Sequence, residues 1–367
     1  MTPAPPQHAP ETTAAPSRRA PEAPPAVATV LLARSADDAA ETVASLLAQS
    51  HLDDAPGAAD RQQHTVLLVD ASPSGLDVDA VLAPVREAGL PALSTRLDPR
   101  RGLRRSLPEL VESLPTHADR RDLVWVLTSR CRPRPDALHA LVAAVSRGVA
   151  MATPKVVDVA DEGVLVRQGL QVTRAGRLVP TPVCGERDQG QHDDSVDVLA
   201  GPLEGLLLDR DEYLALGGHD PGLGDLGGDL DLGWRAQRCG HRVVAVPTAV
   251  LAVRPWPVER RPGLRHRAQA RRVALARGPL WAAPVRALGG ALLALLTALG
   301  LLLLKRPGLA REELALVRGS LDPRTLTSLR RRGGRATVDR RELATLFVPT
   351  AQARQRRRAG RTQETAE

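Results

Sequence analysis

Leu216 to Arg235 reads LGGHDPGLGDLGGDLDLGWR. Gly-rich turns lead into two carboxylates, Asp229 and Asp231, and then into Trp234 and Arg235 on an amphipathic segment that predicts a helix to about Cys239. Two readings of the acids stand side by side here. Asp229 can cap that helix, accepting from its exposed N–H groups and complementing its macrodipole. Alternatively the acids face a cleft, where a carboxylate within reach of a hydroxyl takes its proton as the oxygen attacks. A calcium loop over Asp220 to Asp231 does not fit, because Gly222 and Gly224 stand where such a loop needs oxygen ligands.

Upstream of this stretch, short β-branched or Leu runs alternate with helical patterns. Val27 to Leu32 precedes Asp37 to Gln49, Thr65 to Val69 precedes Asp77 to Ala88, and Leu123 to Leu127 precedes Asp136 to Val145. That alternation predicts an α/β domain with a mostly parallel sheet flanked by helices. From Met151 to Leu199 the pattern shortens into strand-like pieces, Gly163 to Val166 and Arg177 to Val179 among them. Helix returns at Arg210 to Leu216, and a last strand, Arg242 to Val246, is expected to stop at Pro247. Residues 1–26, rich in Pro and Ala, read as a disordered leader, 27–255 as the α/β domain, and 256–367 as a basic C-terminal region.

Charge divides along the same line. The net +8 combines −9 over residues 1–253 with +17 over 254–367. A basic segment of this kind attracts an anionic membrane surface or nucleic acid. Nucleic acid is the weaker choice, since stacking needs aromatics and only Trp256, Trp281 and Phe347 stand there. Cys131, Cys184 and Cys239 are odd in number and widely spaced, which supports neither a disulfide framework nor a zinc site and fits a reducing compartment. An apolar run from Ala287 to Leu304 predicts a hydrophobic helix of roughly 27 Å, just short of a hydrocarbon core. Arginines flank it on both sides, so charge assigns no orientation, as for a helix lying in the cytoplasmic interface. Spanning the bilayer and burial in a soluble bundle are the alternatives.

The Leu216 to Arg235 stretch resembles the acceptor-side motif of family 2 glycosyltransferases, a Leu-Gly-Gly-aromatic-Asp turn followed by an acidic pair and Asp-Leu-x-Trp-Arg. The order of elements over 27–255 is similar to their GT-A fold. Asp188 to Asp193 (DQGQHD), Pro133 to Leu138 and Leu301 to Gly308 further resemble long actinobacterial membrane-associated members, beside which this chain looks short. The resemblance implies a nucleotide-sugar donor and a cell-envelope glycan or lipid-linked acceptor, met at the cytoplasmic face of the membrane with inversion at the sugar. Asp229 becomes the candidate base and Asp231 its neighbour or positioning residue. Trp234, Arg235, His192 and Asp193 fall on the acceptor side, although an exposed polar loop is the plainer reading of the last two. Asp70 and Ser72, in HTVLLVDASPSG at a strand's carboxyl end, fall on the donor side. An Asx turn closing the strand accounts for Asp70 equally well.

The donor side departs from the family at the metal. Where the resemblance calls for Asp-x-Asp or Asp-Asp-Ser to hold Mg²⁺ or Mn²⁺ on the diphosphate, the chain reads Thr128, Ser129, Arg130 and Cys131. A His expected after the last strand is replaced near Leu251 and Ala252. The expectation is therefore no catalytic metal and no other cofactor. Either Arg130 neutralises the diphosphate itself, or the chain is an inactive member serving as a membrane-associated scaffold or regulatory partner, for example of another glycosyltransferase. A solvated surface arginine is the plainest reading of Arg130.

Overall fold

The computed structural model describes residues 23–53, 63–98, 100–145, 149–179, 181–183, 185–194, 196–254, 263–322, 337–339 and 341–356. Most of the predicted leader, Cys184 and Trp256 lie outside the described residues.

Apolar runs buried on both faces form the middle of the sheet. Strands β1 (Ala26–Ala33), β2 (His64–Asp70), β3 (Ala92–Arg96) and β4 (Asp122–Thr128) run parallel, in the spatial order β3-β2-β1-β4. Alternate residues of β4 enter different cores. Leu123, Trp125 and Leu127 pack on one side, whereas Val124 and Val126 pack on the other. Helices α1 (Ala36–Leu47) and α2 (Val78–Glu87) cover the first face, and α3 (Leu103–Glu112) the second. Covering both faces explains why these strands read as continuous hydrophobic runs. The sequence pattern did not show α3, which carries Pro108 inside it. The ring removes one N–H, which costs the Arg104 carbonyl its helical partner.

Beyond β4 the sheet becomes mixed. After the short β5 (Cys131–Pro133) and helix α4 (Ala137–Val145) come β6 (Val149–Asp158), β7 (Leu165–Gln168) and the ribbon of β8 (Gln171–Val172) and β9 (Leu178–Val179). Strand β10 (Leu207–Asp209) inserts antiparallel between β4 and β6, and β11 (Arg242–Val253) lies parallel to β6. The full order is β3-β2-β1-β4-β10-β6-β11-β5, with β7 on β6. This mixed, mostly parallel sheet is the expected GT-A-like architecture. The predicted stop at Pro247 is corrected: β11 continues to Val253. The register slips between Val246 and Val250, so the proline falls in an irregularity where no ladder N–H is required.

Helix α5 (Arg210–Ala215) follows β10, and α6 (Asp225–Arg238) carries the acidic pair. Packing continues past residue 255. Helix α7 (Leu264–Ala276) lies against α6, and Ala270, Val273, Ala274 and Leu343 share a buried cluster with Trp234. Phe347 meets the Trp234 ring edge-on at 4.9 Å. The hydrophobic helix is α8 (Ala283–Leu303), joined by a tight turn to α9 (Pro307–Leu321), which packs in turn on α7.

Candidate active site

The carboxyl ends of β1, β2 and β4 form one rim of the sheet, the place where open α/β sheets receive ligands. At the end of β2, Asp70 is buried, and its Oδ1 accepts from the Ser72 amide (2.8 Å) and hydroxyl (2.7 Å). Oδ2 accepts from the Leu76 amide at 3.2 Å. Burial pushes the Asp70 pKa up, but these hydrogen bonds outweigh it and hold the carboxyl below its ordinary range. The structure thus brings Asp70 and Ser72 together as the two halves of a turn that closes the strand.

At the end of β4, a carboxylate that the sequence reading missed sits among Thr128, Arg130 and Cys131. Glu204 accepts from Arg130 Nη2 at 2.9 and 3.1 Å, from Arg167 Nη2 at 2.7 Å, and from the Thr128 hydroxyl. Arg130 also donates through Nη1 to the Arg254 carbonyl at 2.8 Å, so it is not a solvated surface arginine. Glu204 is buried by a close approach of backbone. Trp125 donates its indole N–H to the Gly205 carbonyl at 3.1 Å. A Cβ on Gly205, at φ +84°, would lie 2.7 Å from Leu251 and 2.8 Å from Pro154. Burial raises the Glu204 pKa, yet Arg167 and Arg130 together keep it below the usual value. The neighbouring Cys131 thiol is pushed up to about 12, by burial and then by the charge of Glu204, and so stays protonated.

The two places where the family resemblance called for metal ligands are adjacent in space, since Ala252 pairs with Arg132 and Leu251 with Pro133 across β11 and β5. Their donor set does not fit a hard divalent cation, which needs several free oxygen ligands. Here the carboxylate's lone pairs are taken by two guanidinium groups and a hydroxyl, and the arginines repel a dication.

In the Leu216 to Arg235 stretch the helix begins one turn earlier than expected. Gly224, not Asp229, is the N-cap of α6, which places both acids inside the helix. Two residues apart on a helix means about 200° of rotation, so the pair is split. Asp229 faces α3. Arg104 forks onto it, Nε to Oδ1 at 2.6 Å and Nη2 to Oδ2 at 2.7 Å, while the Leu203 amide donates to Oδ2 at 3.1 Å. His219 Nε2 lies 3.3 Å from Oδ1, its other nitrogen against the Tyr213 hydroxyl at 3.0 Å. Burial raises the Asp229 pKa, but the Arg104 charge and hydrogen bonds win and hold it far below the carboxylate range. In this geometry Asp229 is a weak base.

Asp231 points the other way and is fully buried between Arg235 Nε (2.8 Å) and Arg277 Nε (2.6 Å). Arg235 also donates to the carbonyls of Leu216 and Gly218, which ties the Gly-Gly turn to the helix. These contacts, with the burial of Trp234, make Asp231, Trp234 and Arg235 a brace between α6, its preceding turn and α7. The DQGQHD loop is fastened elsewhere. His192 lies 2.9 Å from Glu186, and Asp193 and Asp188 hold the buried Lys155 at 2.6 and 3.0 Å. Burial lowers the Lys155 pKa, but the two carboxylates more than reverse it.

Sequence reading missed Arg104, Arg167, Glu204, His219 and Lys155. One signal was present: Glu204 is the lone acid in the apolar run GPLEGLLL, and a charge in such a run requires a partner.

A family described as "Glycosyltransferase like family 2" matches residues 24–275, more than half of the chain. The chain belongs to this family. Among curated proteins none matches it. Solved structures of similar shape include GalNAc-T7 with UDP, GalNAc and Mn²⁺ (14% identity, TM-score 0.48, covering 69% of this chain and 48% of that one). Another is S. aureus TarS 1-349 in complex with UDP (12% identity, TM-score 0.43, covering 69% and 66%). The chain thus spans about half the length of the GalNAc-T7 chain.

Proposed function

We propose that this family member transfers a sugar from a nucleotide-sugar donor to a cell-envelope glycan or lipid-linked acceptor at the cytoplasmic membrane face, with arginines doing the work of the metal. The observation that carries the reading is the convergence of Arg130 and Arg167 on one carboxylate at the end of β4. A guanidinium fork that fits a carboxylate also fits two phosphate oxygens. The donor diphosphate exchanges with Glu204 on these forks, and they neutralise the charge that grows on it as the sugar–oxygen bond breaks. Asp229 accepts the acceptor's proton once its hold on Arg104 is loosened by the incoming anion. A single displacement of this kind inverts the sugar.

The Arg104 fork favours a second reading. A base held so far below neutral pH is quenched, and Glu204 repels a diphosphate, as in a catalytically inactive member that acts as a membrane-associated scaffold or regulatory partner. Calorimetric titration of the full chain with UDP, GDP and dTDP, each with Mn²⁺ or EDTA, separates the two. The transferase reading expects binding that persists in EDTA and weakens roughly 10- to 100-fold in Arg130→Ala, the worth of a charge-assisted fork. Absence of binding by any of the three to the folded protein decides for the inactive reading.

A further inference from the structure

A broad cleft lies between α7, α9 and the Pro221–Leu223 turn before α6, away from the carboxyl ends of β1, β2 and β4. Its volume is about 790 Å³, and Arg265, Arg272, Arg311 and Arg318 line it together with Leu264 and Leu314. The one acid among the described residues of its wall, Asp322, is already engaged by Arg272. Arg265, Arg311 and Arg318 make no ion pair with a described residue. Three uncompensated guanidinium groups around one concave space are a site for an anion with several acceptor oxygens. Leu264 and Leu314, 45% and 43% exposed, add apolar surface to the same wall.

Helix α9 forms one side of this cleft and on another side supports α8. The α8 face turned inward consists of small residues, Ala291, Ala294 and Ala298. Leucines of that helix stand in the open, with Leu288, Leu292, Leu293, Leu296 and Leu299 each 56–65% exposed. Such a continuous apolar face on a helix with Arg286 in its first turn and Lys305 and Arg306 just past its end matches an anionic bilayer surface in both charge and apolar character. Spanning is opposed by the neighbour. Helix α9 runs back along α8 carrying Arg311, Glu312, Glu313 and Arg318, and is fastened to the domain by Arg177–Glu313 (2.6 Å) and Arg267–Glu312 (3.2 Å). A spanning α8 would have to draw these charges into hydrocarbon or tear the helices apart.

We propose that α8 lies in the plane of the membrane interface and that the arginine cleft beside it seats the phosphate headgroup of an anionic phospholipid. This rests on the membrane reading above and deepens it by naming the headgroup site. The test uses the full chain with vesicles of phosphatidylcholine alone or mixed with phosphatidylglycerol. Arg311→Gln/Arg318→Gln is expected to weaken binding to the anionic vesicles on the order of thirtyfold. Arg341→Gln/Arg354→Gln, two exposed arginines away from the cleft, is expected to leave it nearly unchanged. Leu292→Gln/Leu296→Gln is expected to release the protein from both kinds of vesicle. Equal effects of the two arginine pairs would overturn the headgroup site while leaving membrane binding standing. Wild-type protein that ignores every vesicle would overturn the membrane reading itself. Saturable binding of inorganic phosphate, lost in Arg311→Gln/Arg318→Gln while vesicle binding survives, would make the cleft a site for a soluble anion and end the lipid proposal.

Discussion

At the scale of single residues, the buried acids of α6 are answered by opposite charges, and the answers come from distant sequence. Asp229 and Asp231 illustrate this: one is held by Arg104 from α3, the other by Arg277 from α7. Because the folded pKa of Asp229 lies below the unfolded value of 3.8, its contribution to stability is present above that value. It fades as pH falls toward the folded value, so acid destabilises. Denaturant midpoints measured at about pH 5 and about pH 3 are expected to drop steeply in the wild type and less in Asp229→Asn, which starts lower. Parallel losses in the two proteins would count against the ion pair as the origin of the acid sensitivity. The acid itself stood out in the sequence of the Gly-rich stretch. Its counterion did not, since an arginine more than a hundred residues away leaves no local pattern.

At the scale of elements, close packing decides what propensity cannot. Gly233 lies in α6, where Ala in place of Gly ordinarily gains about 1 kcal/mol. A Cβ there would come within 2.5 Å of the Ala200 side chain and 2.6 Å of the Leu199 carbonyl. Overpacking against backbone costs about 1–3 kcal/mol, so the clash outweighs the gain. Gly233→Ala is expected to lower the denaturant midpoint at unchanged slope. Gly289→Ala in α8, where a Cβ meets nothing within 4 Å, is expected to raise it or leave it alone. A destabilised Gly289→Ala beside a neutral Gly233→Ala would reverse the argument. Strands β1, β2 and β4 were readable because burial on both faces gives them continuous apolar runs. The start of α6 was misread by one turn, since Gly224 offers no side chain to announce an N-cap. The end of β11 was misread because a bulge spares Pro247.

At the scale of the molecule, the C-terminal residues brace helix α6, which they follow by a hundred positions. Phe347 covers Trp234, and Phe347→Ala is expected to cost at least about 1 kcal/mol and to shift tryptophan emission to the red. An unchanged spectrum and stability would show that the ring contact is incidental. From sequence alone came the α/β alternation, the family resemblance of the Leu216 to Arg235 stretch and the apolar helix. Each is a local composition or period, which neighbouring residues suffice to express. The tertiary structure alone decided that Glu204 fills the place between Arg130 and Arg167, that the acidic pair is split across a helix, and that α8 leaves its leucines bare. These depend on which distant segments the curled sheet brings within a few ångströms, and Coulomb attraction and packing act through space rather than along the chain.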